Sequence, residues 1–135
     1  MNQSSASGSP PYGDPLTAPF WHAAEQRIFL LQRCNACQRH QFPPSGICRH
    51  CSATDLAMAP SAGLGELYSV TTVHMTFTPN MATPYSVGIV KLDEGAQLIA
   101  RLSGTDLHIG QRVRLHWSPR EGLPPLPTFA ADLSL

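Results

Sequence analysis

Cys34-Asn35-Ala36-Cys37, ten residues from Gln38 to Ile47, then Cys48-Arg49-His50-Cys51: this stretch decides the architecture of the chain. Two residues between cysteines let both thiolates of a pair converge on one ion at about 2.3 Å, and two such knuckles supply the four sulfurs of a tetrahedral site. The ten-residue loop between them is shorter than the roughly 15–20 of one common zinc pattern, but Pro43-Pro44-Ser45-Gly46 can turn it back. Zinc is the expected metal. Iron of the rubredoxin type and a pair of disulfides are the alternatives, and a thioredoxin-like redox pair fits least, because neither knuckle stands between a strand and a helix. Four thiolates leave no coordination position for water or substrate, so the ion is expected to hold the fold and to do no catalysis.

On the N-terminal side, Ile28 to Arg33 is apolar and short enough for a strand leading into the first knuckle. Pro15 to Gln26, with Phe20, Trp21, Ala23 and Ala24, reads as a short helix in which Thr17 can cap and Pro19 is tolerated in the first turn. Residues 1–14 are mostly Ser, Gly and Pro, with no basic start and no apolar run, so they read as a disordered tail and not as a secretory signal. Cys34 to Ala57 reads as a loop-rich module, and Gly63 and Gly65 mark a boundary.

Beyond that boundary the pattern is of strands: Leu67 to His74, Tyr85 to Leu92, Gln97 to Leu102 after an Asp93-Glu94-Gly95 turn, Arg112 to Trp117, and a short one at Thr128 to Ala130. In the fourth, Val113, Leu115 and Trp117 share one face and Arg112, Arg114 and His116 the other, the alternation of a half-buried strand. Pro124 to Pro127 reads as a link, since proline cannot serve in a central strand. Five short strands in so small a segment suit a closed barrel such as an OB-fold, because closure removes exposed edges. The expected organisation is mainly β: tail 1–14, helix and four-cysteine ribbon 15–62, five-stranded barrel 63–135.

Nine Lys and Arg balance nine Asp and Glu among 135 residues, and only 13% of the chain is charged, where about 25% is usual. That balance argues against a general polyanion binder, which needs a cationic surplus to displace counterions. The balance is uneven along the chain. Arg27, Arg33, Arg39, Arg49, His40 and His50 crowd the ribbon, with no acid between Arg27 and Cys51. A four-thiolate zinc centre carries a formal charge of minus two, which accounts for part of this. The remainder makes Arg33, Arg39 and Arg49 candidates for an anionic ligand or an acidic partner surface. No apolar run approaches the roughly 20 residues of a membrane helix, and unpaired cysteines in this arrangement suit a reducing, cytoplasmic compartment.

In this order, several motifs together resemble a known family, catalogued as a domain of unknown function, that joins a rubredoxin-like zinc ribbon to an OB-fold. They are Phe20-Trp21, Leu31-Gln32-Arg33-Cys34, Phe42-Pro43-Pro44 before Cys48, Gly65 with Tyr68 to His74, Pro84-Tyr85, Leu92 to Gly95, and Gly110 ahead of Val113. The resemblance covers about Pro15 to Ala130. It implies a non-catalytic subunit that accompanies thiolase-type enzymes of acyl-CoA metabolism, in some members hydratases, aldolases or acyltransferases, and that shapes or gates the acyl-CoA channel. The chain departs from the family at two positions: Arg27 stands where the family usually has Gly, and Ser52 where it has Gly after the last cysteine.

No nucleophile elbow, phosphate loop or dinucleotide fingerprint is present; Gly63-Leu64-Gly65 reads as a strand entry. His74 is the best acid–base candidate and is better read as a histidine at a barrel rim. Asp93 and Glu94 are adjacent in a turn, and are expected to be solvated there and not to form a catalytic pair. A single-stranded nucleic-acid module is the alternative function, since OB-folds and zinc ribbons both serve there, but Tyr68, Phe77, Tyr85 and Trp117 are scattered and the barrel's basic residues are few. A low charge count with apolar loop residues fits partner binding better. Phe20, Trp21, Met75, Phe77 and Met81 are the expected contacts, the last three in the loop Met75 to Pro84.

Overall fold

In the computed structural model, residues 15–75 and 84–132 are described; the expected tail, and Phe77 and Met81, lie outside them. Helix α1 spans Ala18–Glu25. Thr17 stands at its N-cap but makes no side-chain cap bond, so the first turn rests on Pro19, whose missing N–H has no helical partner to lose there. The C-terminus is closed by a Schellman motif: the Ile28 N–H donates to the Ala23 carbonyl at 3.0 Å and the Arg27 N–H to Ala24 at 2.9 Å. This places Arg27 in the left-handed region, at φ 62°.

The ribbon is a three-stranded antiparallel sheet with β1 (Leu30–Cys34) between β2 (His40–Gln41) and β3 (Leu56–Pro60). The expected loop-rich module therefore contains one short strand whole and the first two residues of a second. Strand β2 is only two residues long, and β3 carries Ala57, Ala59 and Pro60, which have little strand preference of their own. Pairing with β1, from Leu30↔Pro60 to Cys34↔Leu56, holds β3 extended.

Strands β4 (Leu64–Val73), β5 (Tyr85–Leu92), β6 (Gln97–Leu102), β7 (Arg112–Arg120) and β8 (Leu123–Ala131) close a barrel in the order β4-β5-β6-β8-β7, the arrangement of an OB-fold. Strands β5 and β6 run as expected. Strand β8 does not, because Pro124 to Pro127 belong to it and form no separate link. Antiparallel pairing with β7 runs from Arg120↔Leu123 to Val113↔Ala131, whereas the parallel pairing with β6 covers only Arg101↔Thr128 and Leu102↔Phe129. The prolines thus occupy the part of β8 with a neighbour on one side alone, where a missing N–H can face away from the ladder. Strand β4 bulges between Leu67 and Ser69. It passes so close to β5 that a Cβ on Gly88 would run into the Ser69 carbonyl and lie 2.9 Å from the Leu102 side chain.

The Asp93-Glu94 turn is tied down: Asp93 is exposed, as expected, but ion-paired, and Glu94 is half-buried where solvation was expected. Arg112 donates to both carboxylate oxygens of Asp93, at 2.9 and 2.7 Å, and Glu94 accepts the Ala62 N–H at 3.0 Å. This clamps the β5–β6 turn to the entry of β4 and to β7, which lie beside it only in three dimensions.

Leu67, Val90, Leu92, Val113 and Phe129 fill the barrel, and Phe20, Phe29 and Leu31 from the helix and ribbon join the same cluster. Phe29 is the joint. Its ring lies 5.7 Å from Phe20, 6.1 Å from Phe42, 6.2 Å from Trp117 and 6.2 Å from Phe129. Ribbon and barrel are therefore held by one continuous apolar core, to which each buried aromatic ring contributes on the order of 150–250 Å².

Candidate metal centre

The two knuckles are built alike. In the first, the Gln38 N–H donates to the Cys34 carbonyl at 2.8 Å and the Cys34 N–H to Arg39 at 2.9 Å. In the second, Ser52 donates to Cys48 at 2.9 Å and Cys48 to Ala53 at 2.8 Å. Each turn closes with a left-handed residue, Gln38 at φ 69° and Ser52 at φ 68°. Arg27 and Ser52, the two positions at which the resemblance leads to an expectation of glycine, are both left-handed. Glycine there avoids the Cβ clash that an L side chain meets.

The four Sγ atoms lie within 4.8 Å of one another, with Cys34 to Cys51 at 3.6 Å and Cys37 to Cys48 at 3.7 Å. Sulfurs at about 2.3 Å from a tetrahedral ion stand about 3.8 Å apart, so the donor set fits a four-thiolate metal. The electrostatics of the cluster fit as well. Desolvation works to raise the Cys48 thiol, but the backbone N–H groups of His50 and Cys51 and the neighbouring Cys37 and Cys51 thiols outweigh it and bring it from 9.0 down to about 6. Cys51 moves oppositely: the Ala53 N–H favours its thiolate, yet desolvation at the sulfur and hydrogen bonding with Cys34, Cys37 and Cys48 push it up to about 12. Four adjacent sulfurs cannot all carry charge unaided, and a bound cation removes that conflict.

The loop between the knuckles is laced to the sheet by two buried glutamines that sequence reasoning did not single out. Gln32 Oε1 accepts from Gln41 Nε2 at 2.6 Å and from the Ser45 N–H at 2.8 Å, while Gln32 Nε2 donates to the Ser45 carbonyl at 2.8 Å. Gln41 in turn accepts the Arg49 N–H at 2.9 Å and donates to the Ile47 carbonyl at 3.2 Å. The available signal was a pair of glutamines flanking the first knuckle, and nothing in one sequence says that they face inward.

The three candidate arginines engage three different partners. Arg33 donates to the Asn35 side chain at 3.3 Å, Arg39 lies 3.4 Å from His50 Nδ1, and Arg49 donates to the Pro43 carbonyl at 2.8 Å. Among the expected partner contacts, Phe20 is only 3% exposed and belongs to the core, because its ring packs against Trp21, Phe29 and Phe42; it has almost no surface to offer a partner. Trp21 is half-buried beneath the Arg120 guanidinium, whereas Met75 is 67% exposed. His74 is exposed, one residue past β4.

Residues 21–57 match a family model described as the ChsH2 rubredoxin-like zinc ribbon domain, and residues 59–118 one described as the ChsH2 C-terminal OB-fold domain. A probable enoyl-CoA hydratase alpha subunit of Thermomonospora curvata is 37% identical over 114 residues, 82% of this chain and 36% of that protein. The benzoylsuccinyl-CoA thiolase subunit BbsA of Thauera aromatica is 32% identical over 93 residues, 67% of this chain and 61% of that protein. The chain thus spans between about a third and three fifths of these curated relatives. A solved chain described as Ltp2-ChsH2(DUF35) aldolase is 34% identical, with a TM-score of 0.79 over 87% of this chain and 95% of that one.

Proposed function

The chain belongs to the ChsH2 (DUF35) family of paired zinc ribbons and OB-folds, and from that premise we propose that it is an accessory subunit of a thiolase-like acyl-CoA enzyme. The observation that carries this is the likeness to the Ltp2-ChsH2(DUF35) aldolase chain, which this chain covers almost end to end at 34% identity. Relatives described as hydratase and thiolase subunits point to the same class of assembly.

In this reading Cys34, Cys37, Cys48 and Cys51 hold one Zn²⁺, which supplies folding energy to a sheet too small for a core of its own. The subunit is non-catalytic: the metal, saturated by thiolates, offers substrate no open position, and the reaction class belongs to the partner. Trp21 and Met75 contribute to the docking surface, with Phe77 and Met81 in the loop that follows Met75. The cations Arg33, Arg39 and Arg49 balance the thiolate charge, and their surplus faces the phosphates of acyl-CoA or acidic residues of the partner. The subunit shapes or gates the partner's acyl-CoA site. Reduced cysteines suit a cytoplasmic setting, and among the described residues no helix is long and apolar enough to cross a membrane.

The test is acyl-CoA turnover by a thiolase-fold protein encoded beside this chain, measured with and without it. Turnover that requires the chain, or changes acyl-chain preference when it is added, supports the reading. Full and unaltered turnover in its absence would overturn it.

A further inference from the structure

We infer that the outer face of β5 and β6, where it borders the inter-knuckle loop, docks an acidic segment of the partner protein with apolar side chains at its centre. Gly88, Val90 and Leu92 of β5 are buried, as are Leu98, Ala100 and Leu102 of β6. The alternate residues, Val87, Ile89 and Lys91 on one strand and Gln97, Ile99 and Arg101 on the other, therefore point out of the barrel. In register, Lys91 stands opposite Gln97, Ile89 opposite Ile99 and Val87 opposite Arg101. The centre of this face is thus a pair of isoleucines, and Ile99 is 78% exposed. Phe42 and Pro43 of the inter-knuckle loop supply the other wall, closing a groove of about 400 Å³ over Ile89, Gln97, Leu98 and Ile99. Apolar surface gathered in this way favours burial against another chain.

The rim of the groove is cationic. Lys91 and Arg101 flank the isoleucine pair at its two ends, and Arg49 donates to the Pro43 carbonyl at 2.8 Å on the ribbon side. No Asp or Glu lines the groove, and none of the three cations forms an ion pair among the described residues. Glu66, opposite Lys91 on β4, lies on the far side of β5 from the groove. Lys91 rests instead over the Tyr68 ring, 5.5 Å from its centre, and Arg101 over Tyr85 at 5.1 Å, which holds both charges on this face. An apolar centre inside a positive rim is complementary to aliphatic or aromatic side chains flanked by Asp or Glu. Gln97, beside Lys91, and Arg101 are separated by about 13 Å of strand; an extended segment spans that distance with acids four positions apart and an apolar side chain midway. Single-stranded nucleic acid fits less well, because bases stack on bare rings and the centre here is aliphatic. The inference rests on the accessory-subunit reading for the existence of a protein partner, and uses none of Trp21, Met75, Phe77 and Met81.

The test uses the full zinc-loaded chain co-expressed with the thiolase-fold protein of its own host. Amide hydrogen exchange at residues 42–47 and 87–101 should be slower in the complex than in the free chain. Ile99→Asp should weaken the complex about 30-fold, as loss of a central contact does. Ile99→Lys should weaken it less, because a cation there still meets the acidic segment. Ile99→Thr keeps the strand preference should the Asp variant not fold, and is expected to weaken binding about tenfold. Lys91→Gln should reduce affinity and flatten its dependence on sodium chloride. A complex that forms with unchanged exchange at residues 87–101, or that Ile99→Asp and Ile99→Thr enter as tightly as the parent, overturns this inference and leaves the accessory-subunit reading standing. Absence of any complex overturns both. Slower exchange at the same residues with a single-stranded oligothymidine, and none with the protein, would assign the face to nucleic acid and overturn the inference as well.

Discussion

Phe29→Ala tests whether ribbon and barrel are one cooperative body. The ring is 2% exposed and touches α1 through Phe20, the inter-knuckle loop through Phe42, and the barrel through Trp117 and Phe129. Removing it withdraws roughly 150–200 Å² of buried apolar surface, which at about 25 cal/mol per Å² corresponds to about 4–5 kcal/mol. Truncations of buried phenylalanines cost about 3–5 kcal/mol. Aromatic neighbours on every side oppose collapse of the cavity, so about 4 kcal/mol is expected, a large part of a total stability of about 5–15 kcal/mol. For a chain of this size that is a fall in Tm of about 14 °C. Urea titration followed in parallel by Trp21 and Trp117 fluorescence and by zinc release is the assay. Both signals should shift together to lower urea. A loss below about 1 kcal/mol, or a shift in zinc release with the fluorescence transition unmoved, would refute the shared core.

Other consequences concern the metal, the left-handed turns and pH. Cys34→Ser, or chelation, should collapse the amide dispersion of residues 30–60, since structural zinc contributes on the order of 10 kcal/mol to such modules; an unchanged ribbon spectrum would contradict a structural ion. Ser52→Gly and Arg27→Gly should each raise stability by about 0.5–1 kcal/mol by relieving left-handed strain, less the glycine's greater unfolded entropy, as read from urea midpoints; destabilisation by either would count against the turn geometry. Hydrogen bonding from Arg112, aided by its charge against the opposing effect of burial, holds the Asp93 carboxyl below its ordinary 3.8. Its stabilising contribution is complete above that value and is lost as pH falls through the lowered folded value. The stability difference between the parent and Asp93→Asn should therefore be present at neutral pH and shrink in strong acid; a difference independent of pH would remove the ion pair from the account.

Covalent spacing and strand alternation made the four-cysteine cluster and most of the barrel legible in advance. Cys34-x-x-Cys37 and Cys48-x-x-Cys51 need only local geometry to be read, and β5 and β6 announce themselves by apolar residues on either side of the Asp93-Glu94-Gly95 turn. Features that depend on a distant neighbour were not legible. Strand β3 is extended because β1 pairs with it, and the prolines of β8 are tolerated because β6 diverges from them. Phe20 looked like an exposed aromatic on a short helix until Phe29 and Phe42 closed over it. Gln32 and Gln41 gained their role from a loop that folds back across both. The departures at Arg27 and Ser52 acquired meaning only from their positive φ angles.

The central claim, that this chain is the zinc-ribbon and OB-fold subunit of a thiolase-like acyl-CoA enzyme, is tested most directly by the mass of what it forms. The chain, co-expressed with the thiolase-fold protein of its own host, is purified and its mass measured by light scattering and native mass spectrometry, with zinc counted per chain. The account predicts one stable species containing both proteins and one zinc for each copy of this chain. A zinc-loaded monomer eluting apart from an unbound thiolase-fold protein would contradict it.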